Sequence, residues 1–241
     1  MQKDFAMPNL TPPITSNRLL AALPGKDRGR ILARCDQVEL VAGDILHEAG
    51  TAQRHIYFPT GGFVSLVTPM GPQGGLEVAL VGNEGMVGIS PLLGVSVSPL
   101  RHVVLGAGSA LRMSVASFRR SLDSSPALRR RLNLYTHVKM HQMAQTAACA
   151  RFHVVEARLA RLLLMTHDRS PSNEFQATHE FLAYMLGVRR AGITAAATSL
   201  QKQRLIRYSR GKITVLNRRG LEKQSCGCYW AAKELYDRIL D

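Results

Sequence analysis

Three groups of residues in this chain have side-chain types and spacings suited to chemistry. The first is basic. Arg189 and Arg190 open a stretch that continues through Thr194, Thr198 and Lys202, and Arg210 and Lys212 bracket Gly211 shortly after. An arginine can bond O6 and N7 of one guanine together, while threonine and lysine side chains bond phosphate oxygens. The second group is sulfur and imidazole. Cys149 and His153 stand four apart, and Cys226 and Cys228 flank Gly227. Structural zinc asks for four ligands, commonly in C-x2-C pairs. No second pair of that kind is present, so the expectation is helical packing for Cys149 and His153 and no metal site. His137 and His141 repeat the spacing of four without a carboxylate at a helpful distance. The third group is catalytic and is thin. No G-x-S-x-G, H-E-x-x-H or P-loop occurs. Gly106-Ala107-Gly108 begins like a dinucleotide fingerprint but lacks the third glycine and a βαβ setting, so it reads as a turn. No enzymatic activity is expected.

The basic group needs elements to aim it. Thr178 is a suitable N-cap for a short helix, His179–Leu186, with Phe181, Leu182 and Met185 on one face. Gly187 permits a left-handed turn, and Val188 plugs it. A second helix, about Arg190 to Gln203, turns Ile193, Ala197 and Leu200 inward. Helix, glycine turn, helix is the helix-turn-helix pattern, whose second helix offers its N-terminal residues to the major groove. Leu205–Tyr208 and Lys212–Leu216 then form a hairpin with a basic tip. From Ser170 to Asp241 there are twelve Lys and Arg against six Asp and Glu, within the scale of phosphate-driven binding. The DNA-contacting set expected is Thr178, Arg189, Arg190, Thr194, Thr198, Lys202, Arg210 and Lys212. In the second helix, Gly192 costs about 1 kcal/mol against alanine.

The remaining chain must carry and orient this reader. The whole is basic, +14 over 241 residues, which suggests a polyanionic partner. No run approaches the roughly 18 apolar residues of a membrane span, and four irregularly spaced cysteines suit a reducing cytoplasm. Residues 1–16 read as a disordered leader. Residues 17–124 read as a β-roll: candidate strands are Gln37–Val41, Ile45–Glu48, His55–Pro59, Gly62–Thr68, Leu76–Val81, Arg101–Leu105 and Ala110–Ser114, with turns at Gly71-Pro72 and Gly74-Gly75 among others. Short helices are expected at Asn17–Leu23 and Val115–Leu122. Residues 125–152 read as a long helix capped by Ser125, and helix continues through His153 to Met165, as one very long helix or as two in series. Met140, Met143, Ala147, Ala150 and Val154 run at spacings of 3, 4, 3 and 4, a coiled-coil rhythm that makes them the expected dimer seam. Asp168–Asn173 reads as a polar linker. Residues 153–241 hold the winged helix-turn-helix, closed by a tail helix over Tyr229–Leu240 that packs on the winged helix or on a partner. The fold class is α+β.

From about Asn17 to Arg219 the sequence resembles the CRP/FNR family of bacterial regulators. HIYFPTGGFVSLV, EGMVGISPLLG, AQTAACARFHVVEARLARLLL, EFLAYMLGVRR and LIRYSRGKITVL carry the resemblance. It implies a cyclic-nucleotide-binding-like jelly-roll sensor, a dimerisation helix, an inverted-repeat site in double-stranded DNA and contact with RNA polymerase. The implied effector residues are Gly88, Arg101, His102, Gln142 and Gln145. Cyclic AMP itself is not expected. The glutamate that holds the ribose is replaced by Ile89, and the hydroxyl residues that read adenine fall at Met143 and Ala144. His47, His55 and His102 are haem ligands by type only, and no cysteine precedes Cys35 for an iron–sulfur sensor. The family's glutamate after Arg190 and its next arginine are Ala191 and Ala195, so base preference should differ. Two alternatives stay open: a regulator that binds DNA without an effector, and a signalling module whose winged helix contacts protein.

Overall fold

The computed structural model describes residues 16–71, 75–170 and 172–241. The expected leader over Met1 to Thr15 and the turn positions Pro72 and Gly74 lie outside them.

The chain begins with α1 (Arg18–Ala21), capped by Asn17, and α2 (Gly25–Leu32). Seven strands follow: β1 (Asp36–Leu40), β2 (Ile45–His47), β3 (His55–Pro59), β4 (Phe63–Pro69), β5 (Gly75–Val81), β6 (Arg101–Gly106) and β7 (Gly108–Ser114). They make two antiparallel sheets, ordered β1-β7-β3 and β2-β6-β4-β5. Leu40, Tyr57 and Ala110 of the first share a core with Val64, Leu66, Ala79, Val81 and Val104 of the second, so the sheets face each other as expected for the roll. All seven strands fall within two residues of their expected bounds. Helix α2 was not anticipated; Pro24 ahead of it and Gly25 and Gly29 inside it hide its period.

Helix α3 (Val115–Ser124) leads into α4 (Pro126–Phe152). Ser125 Oγ accepts from the Leu128 N–H at 3.1 Å, and Pro126 occupies the first turn. Leu128, Leu132, Tyr135 and Val138 bury one face of α4 against the roll. Of the two expected arrangements, one unbroken helix or two in series, the structure has two in series. His153 and Val154 are extended, with ψ of 142° and 154°, and α5 (Val155–His167) starts afresh. Consecutive β-branched valines favour helix weakly, and the fully buried Leu159, Leu163 and Leu164 of α5 are claimed by a different core.

That core belongs to the C-terminal unit. It contains β8 (Glu174–Gln176), α6 (His179–Leu186), α7 (Arg190–Lys202), β9 (Ile206–Ser209), β10 (Lys212–Val215) and α8 (Arg218–Gln224), with sheet order β8-β10-β9. Part of the expected polar linker turns out to be structural. Arg169 forms a buried ion pair with Glu84 of the roll, Nη2 to Oε1 2.7 Å, and Asp168 pairs with Arg218 at 2.6 Å.

The last helix, α9 (Cys228–Leu240), packs against α4. Leu235, Tyr236 and Leu240 enter the roll's core beside Leu19 and Leu20. The tail helix therefore bridges the units: Tyr229 at its start lies in the core of the C-terminal unit and bonds Arg218 and Asp168, while its far end enters the N-terminal unit. No helix among the described residues is long and apolar enough to cross a membrane.

Candidate nucleic-acid interface

The helix pair at the reader forms where the sequence places it. Thr178 Oγ1 accepts from the Phe181 N–H at 3.1 Å. Gly187 takes φ +62°, ψ +42°, ending α6 in the left-handed conformation that favours glycine. Ile193, Ala196, Ala197 and Leu200 bury the inner face of α7. The outer face is what remains: Arg190, Ala191, Thr194, Ala195, Thr198 and Lys202 are all exposed, at helical spacings of three and four. Arg189 is exposed at the N-cap, where no side chain occupies the first N–H groups of α7. The free end of the helix and two guanidinium groups thus share one edge, an arrangement suited to anions.

The wing is a two-residue hairpin. Ser209 pairs with Lys212, and Arg210 and Gly211 span the turn with φ of +48° and +78°. Positive φ at both positions is the geometry that matches strand twist in tight hairpins. It holds Arg210 at the tip, exposed. Lys212 is exposed as well, but its Nζ sits 2.8 Å from Glu174 Oε1.

All eight expected contact residues are exposed on this unit. Thr194 is less available than its position suggests. Its hydroxyl donates to the Arg190 carbonyl at 3.1 Å and lies 3.0 Å from His179 Nδ1. With the hydroxyl hydrogen spent on Arg190, Nδ1 carries the proton in this bond. His179 stacks on Tyr208 at 4.1 Å, and its pKa is lowered by burial and by Arg190. This brace between α6, α7 and β9 was missed from sequence, as were exposed Arg204 and Arg207. An Arg run beside a strand was the available signal for the latter.

Four of the expected effector residues, Arg101, His102, Gln142 and Gln145, have side-chain contacts within the protein, Arg101 at its surface. Arg101 Nε donates to Glu48 at 2.8 Å. His102 is buried, its ring 5.1 Å from that of His47, and burial together with His47 lowers its pKa to about 3. Gln142 Oε1 accepts from Lys139 Nζ at 3.0 Å, and Gln145 Nε2 contacts Cys228 Sγ at 2.9 Å. A side chain at Gly88 would meet Gln53. Met143 packs on the roll's core, so it reads no ligand base from there.

The seam residues divide. Met140, Ala147 and Val154 are exposed, whereas Met143 faces the roll and Ala150 lines a cavity with Leu76, Arg158 and Leu162. The roll and α5 cover that flank of α4 and displace the exposed stripe, which runs instead through Leu134, Met140, Ala144, Ala147, Ala148, Phe152 and Val154.

Beneath the reader lies a buried polar network. Burial raises the Glu84 carboxyl, but Arg169 and Lys139 outweigh it and hold it at about 2. Lys139, lowered to about 8 mainly by burial, donates to Leu80 O at 2.9 Å. Glu77 accepts from Ser65 Oγ at 2.7 Å, and burial lifts it to about 7.

The two pairs that the sequence keeps apart, Cys149 with His153 and Cys226 with Cys228, meet: their four donor atoms lie within 4.8 Å of one another. Each is the second pair that the other lacked, and the 77 residues between Cys149 and Cys226 conceal this from sequence.

Residues 157–224 match the Crp-like helix-turn-helix domain. The chain carries a Crp-like helix-turn-helix domain. Its fold is that of solved CRP/FNR-family structures. A putative CRP/FNR-family regulator from Eubacterium rectale superposes with a TM-score of 0.67 at 18% identity, over 86% of this chain and 96% of that one. FixK2 from Bradyrhizobium japonicum gives 0.67 at 13% identity, over 80% and 98%. A CRP/FNR-family transcriptional regulator from Thermus thermophilus gives 0.65 at 20%, over 79% and 98%. These likenesses are of fold. A comparison with curated protein sequences gave no match.

Proposed function

We propose that the protein is a homodimeric, sequence-specific DNA-binding transcription regulator. The observation that carries this reading is the solvent face of α7, where Arg189 and Arg190 stand exposed at a helix N-terminus without a side-chain cap, together with exposed Arg210 at the hairpin tip. Arginine at the first turn suits a guanine edge. The methyl groups of Ala191 and Ala195 suit thymine. Thr198, Lys202, Arg210 and Lys212 position the unit on phosphates. Thr178, already capping α6, lies at the same edge.

The second copy docks on the exposed stripe of α4. Met140, Phe152 and Val154 are 67%, 77% and 72% exposed, and Ala144, Ala147 and Ala148 between them permit close helix approach. Two-fold pairing there sets an inverted-repeat DNA site. Work in the cytoplasm and contact with RNA polymerase belong to the same reading.

Effector control draws its support from a cleft of about 550 Å³ between the roll and the reader, lined by Phe63, Leu105, Leu163, Thr178, Phe181 and Met185. That size fits a small molecule, and an occupant there touches both units. Arg101, committed to Glu48, does not serve it.

The test is selection from a random duplex pool with the full chain beside Arg189→Ala/Arg190→Ala. An inverted repeat enriched by the native chain and lost in the variant supports the reading. The absence of any enriched site at low salt, with and without small-molecule extract, overturns it.

A further inference from the structure

We infer that Cys149, His153, Cys226 and Cys228 hold one zinc-class divalent ion that clamps the junction between the long helix and the reader. Cys149 lies in the last turn of α4 and His153 at its C-cap, in the break before α5. Cys226 and Cys228 flank Gly227, where α8 ends and α9 begins. The four donors come from both connections between the two units of the protein.

The geometry fits a single tetrahedral ion. With Zn–S about 2.3 Å and Zn–N about 2.0–2.1 Å, ligand atoms should sit about 3.6–3.8 Å apart. The Sγ atoms of Cys149 and Cys226 are 3.5 Å apart, as are Cys228 Sγ and His153 Nδ1, and every separation is within 4.8 Å. A disulfide would join two sulfurs at about 2.05 Å and leave the third thiol and the imidazole unexplained. An iron–sulfur cluster spreads its ligands over several irons, wider than this group closes. Three thiolates and one imidazole form a full closed set, which is the structural rather than the catalytic kind of zinc site.

The surroundings suit the charge. When the ion binds, the three thiols release their protons to solvent, leaving a net charge of one minus. The Arg161 guanidinium lies against Cys149, and Arg158 is close enough to interact with it. Gln145 Nε2 directs an N–H at Cys228 Sγ, an outer-shell bond of the kind that orients ligands. Cys149, Cys226 and Cys228 are buried, and His153 is exposed. The histidine edge gives the ion a path in.

The experiment uses the full chain, purified under reducing, anaerobic conditions. Elemental analysis is expected to find about one zinc per chain. Cobalt(II) added after chelator treatment is expected to give an intense thiolate charge-transfer band with tetrahedral ligand-field absorption. Cys226→Ser and Cys228→Ser each lower the band, the double variant reduces it to about a third or less, and Cys35→Ser keeps it whole. Because His153 is exposed, His153→Ala keeps the fold by circular dichroism while weakening cobalt affinity by about 10-fold or more. It should also lower amide protection around residues 150–156 and 224–229. Sub-stoichiometric metal with no thiolate band overturns the site. So do a band of undiminished intensity in the double serine variant, iron with sulfide, or a Cys149–Cys226 disulfide in thiol counting. Unchanged protection in His153→Ala overturns the clamp.

Discussion

The arginines at the junction differ from those on the outer face of the helix-turn-helix. At the junction, Arg169 pairs with Glu84 and Arg218 with Asp168 and Glu222, in ion pairs largely withdrawn from solvent. On the outer face, among the described residues, Arg189, Arg190 and Arg210 have no carboxylate within ion-pair reach, though Lys212 does. Exposed arginines without a carboxylate also occur on the N-terminal unit, at Arg30, Arg34, Arg54, Arg119, Arg120 and Arg130, so a missing partner does not by itself mark an interface. Placement does: Arg189 and Arg190 stand at the start of α7 and Arg210 at a hairpin tip.

The largest effect expected from breaking this contrast is at the junction. Arg169→Met leaves the Glu84 carboxylate buried without its cation, and urea unfolding should show a loss of about 3–5 kcal/mol. Adding Glu84→Gln should recover much of it; no recovery would mean that Arg169 acts through packing alone. Next is Glu77. Its folded pKa of about 7 lies above the ordinary 4.5, so its contribution is fully present below pH 4.5 and is lost as pH rises through 7. Glu77→Gln should remove that decline, on the order of 3 kcal/mol, in unfolding curves taken at pH 4.5 and 8. Glu84 runs the other way, its contribution lost only as pH falls toward 2.

On the reader, Arg190→Ala should leave unfolding within about 0.5 kcal/mol while costing about 1–3 kcal/mol in discrimination at one base pair, read by competition binding. The smallest effect is at Gly192. A Cβ there meets nothing within 4 Å, so Gly192→Ala should stabilise the free chain by up to about 1 kcal/mol. If DNA affinity falls at the same time, the backbone of α7 approaches the duplex at that point.

The contrast also explains what could be read before the structure. Thr178, Gly187 and the inward Ile193, Ala197 and Leu200 act within a few residues of one another, so the bounds of α6 and α7 were legible, as were the seven strands with their turns. Elements lacking a local signal were not: β8 has three residues, and α8 opens with Arg218-Arg219-Gly220. The junction was illegible for another reason. Arg169 meets Glu84 across 85 residues and Cys149 meets Cys226 across 77, distances over which spacing says nothing. The seam was half legible, because periodicity gave a stripe along α4 but not which flank the roll would cover.

The return of α9 to the roll has a mechanical consequence. A body attached at one point can swivel about three axes. The reader is attached by two strands of chain, one at His153-Val154 and one at Ser225–Gly227, and Cys149 and Cys226 show that they run side by side. Beside these crossings, the buried Arg169–Glu84 pair and the packing of α6 on β5 fasten the same two units together. Any swing about the paired crossings must therefore first part that ion pair and peel α6 from the sheet.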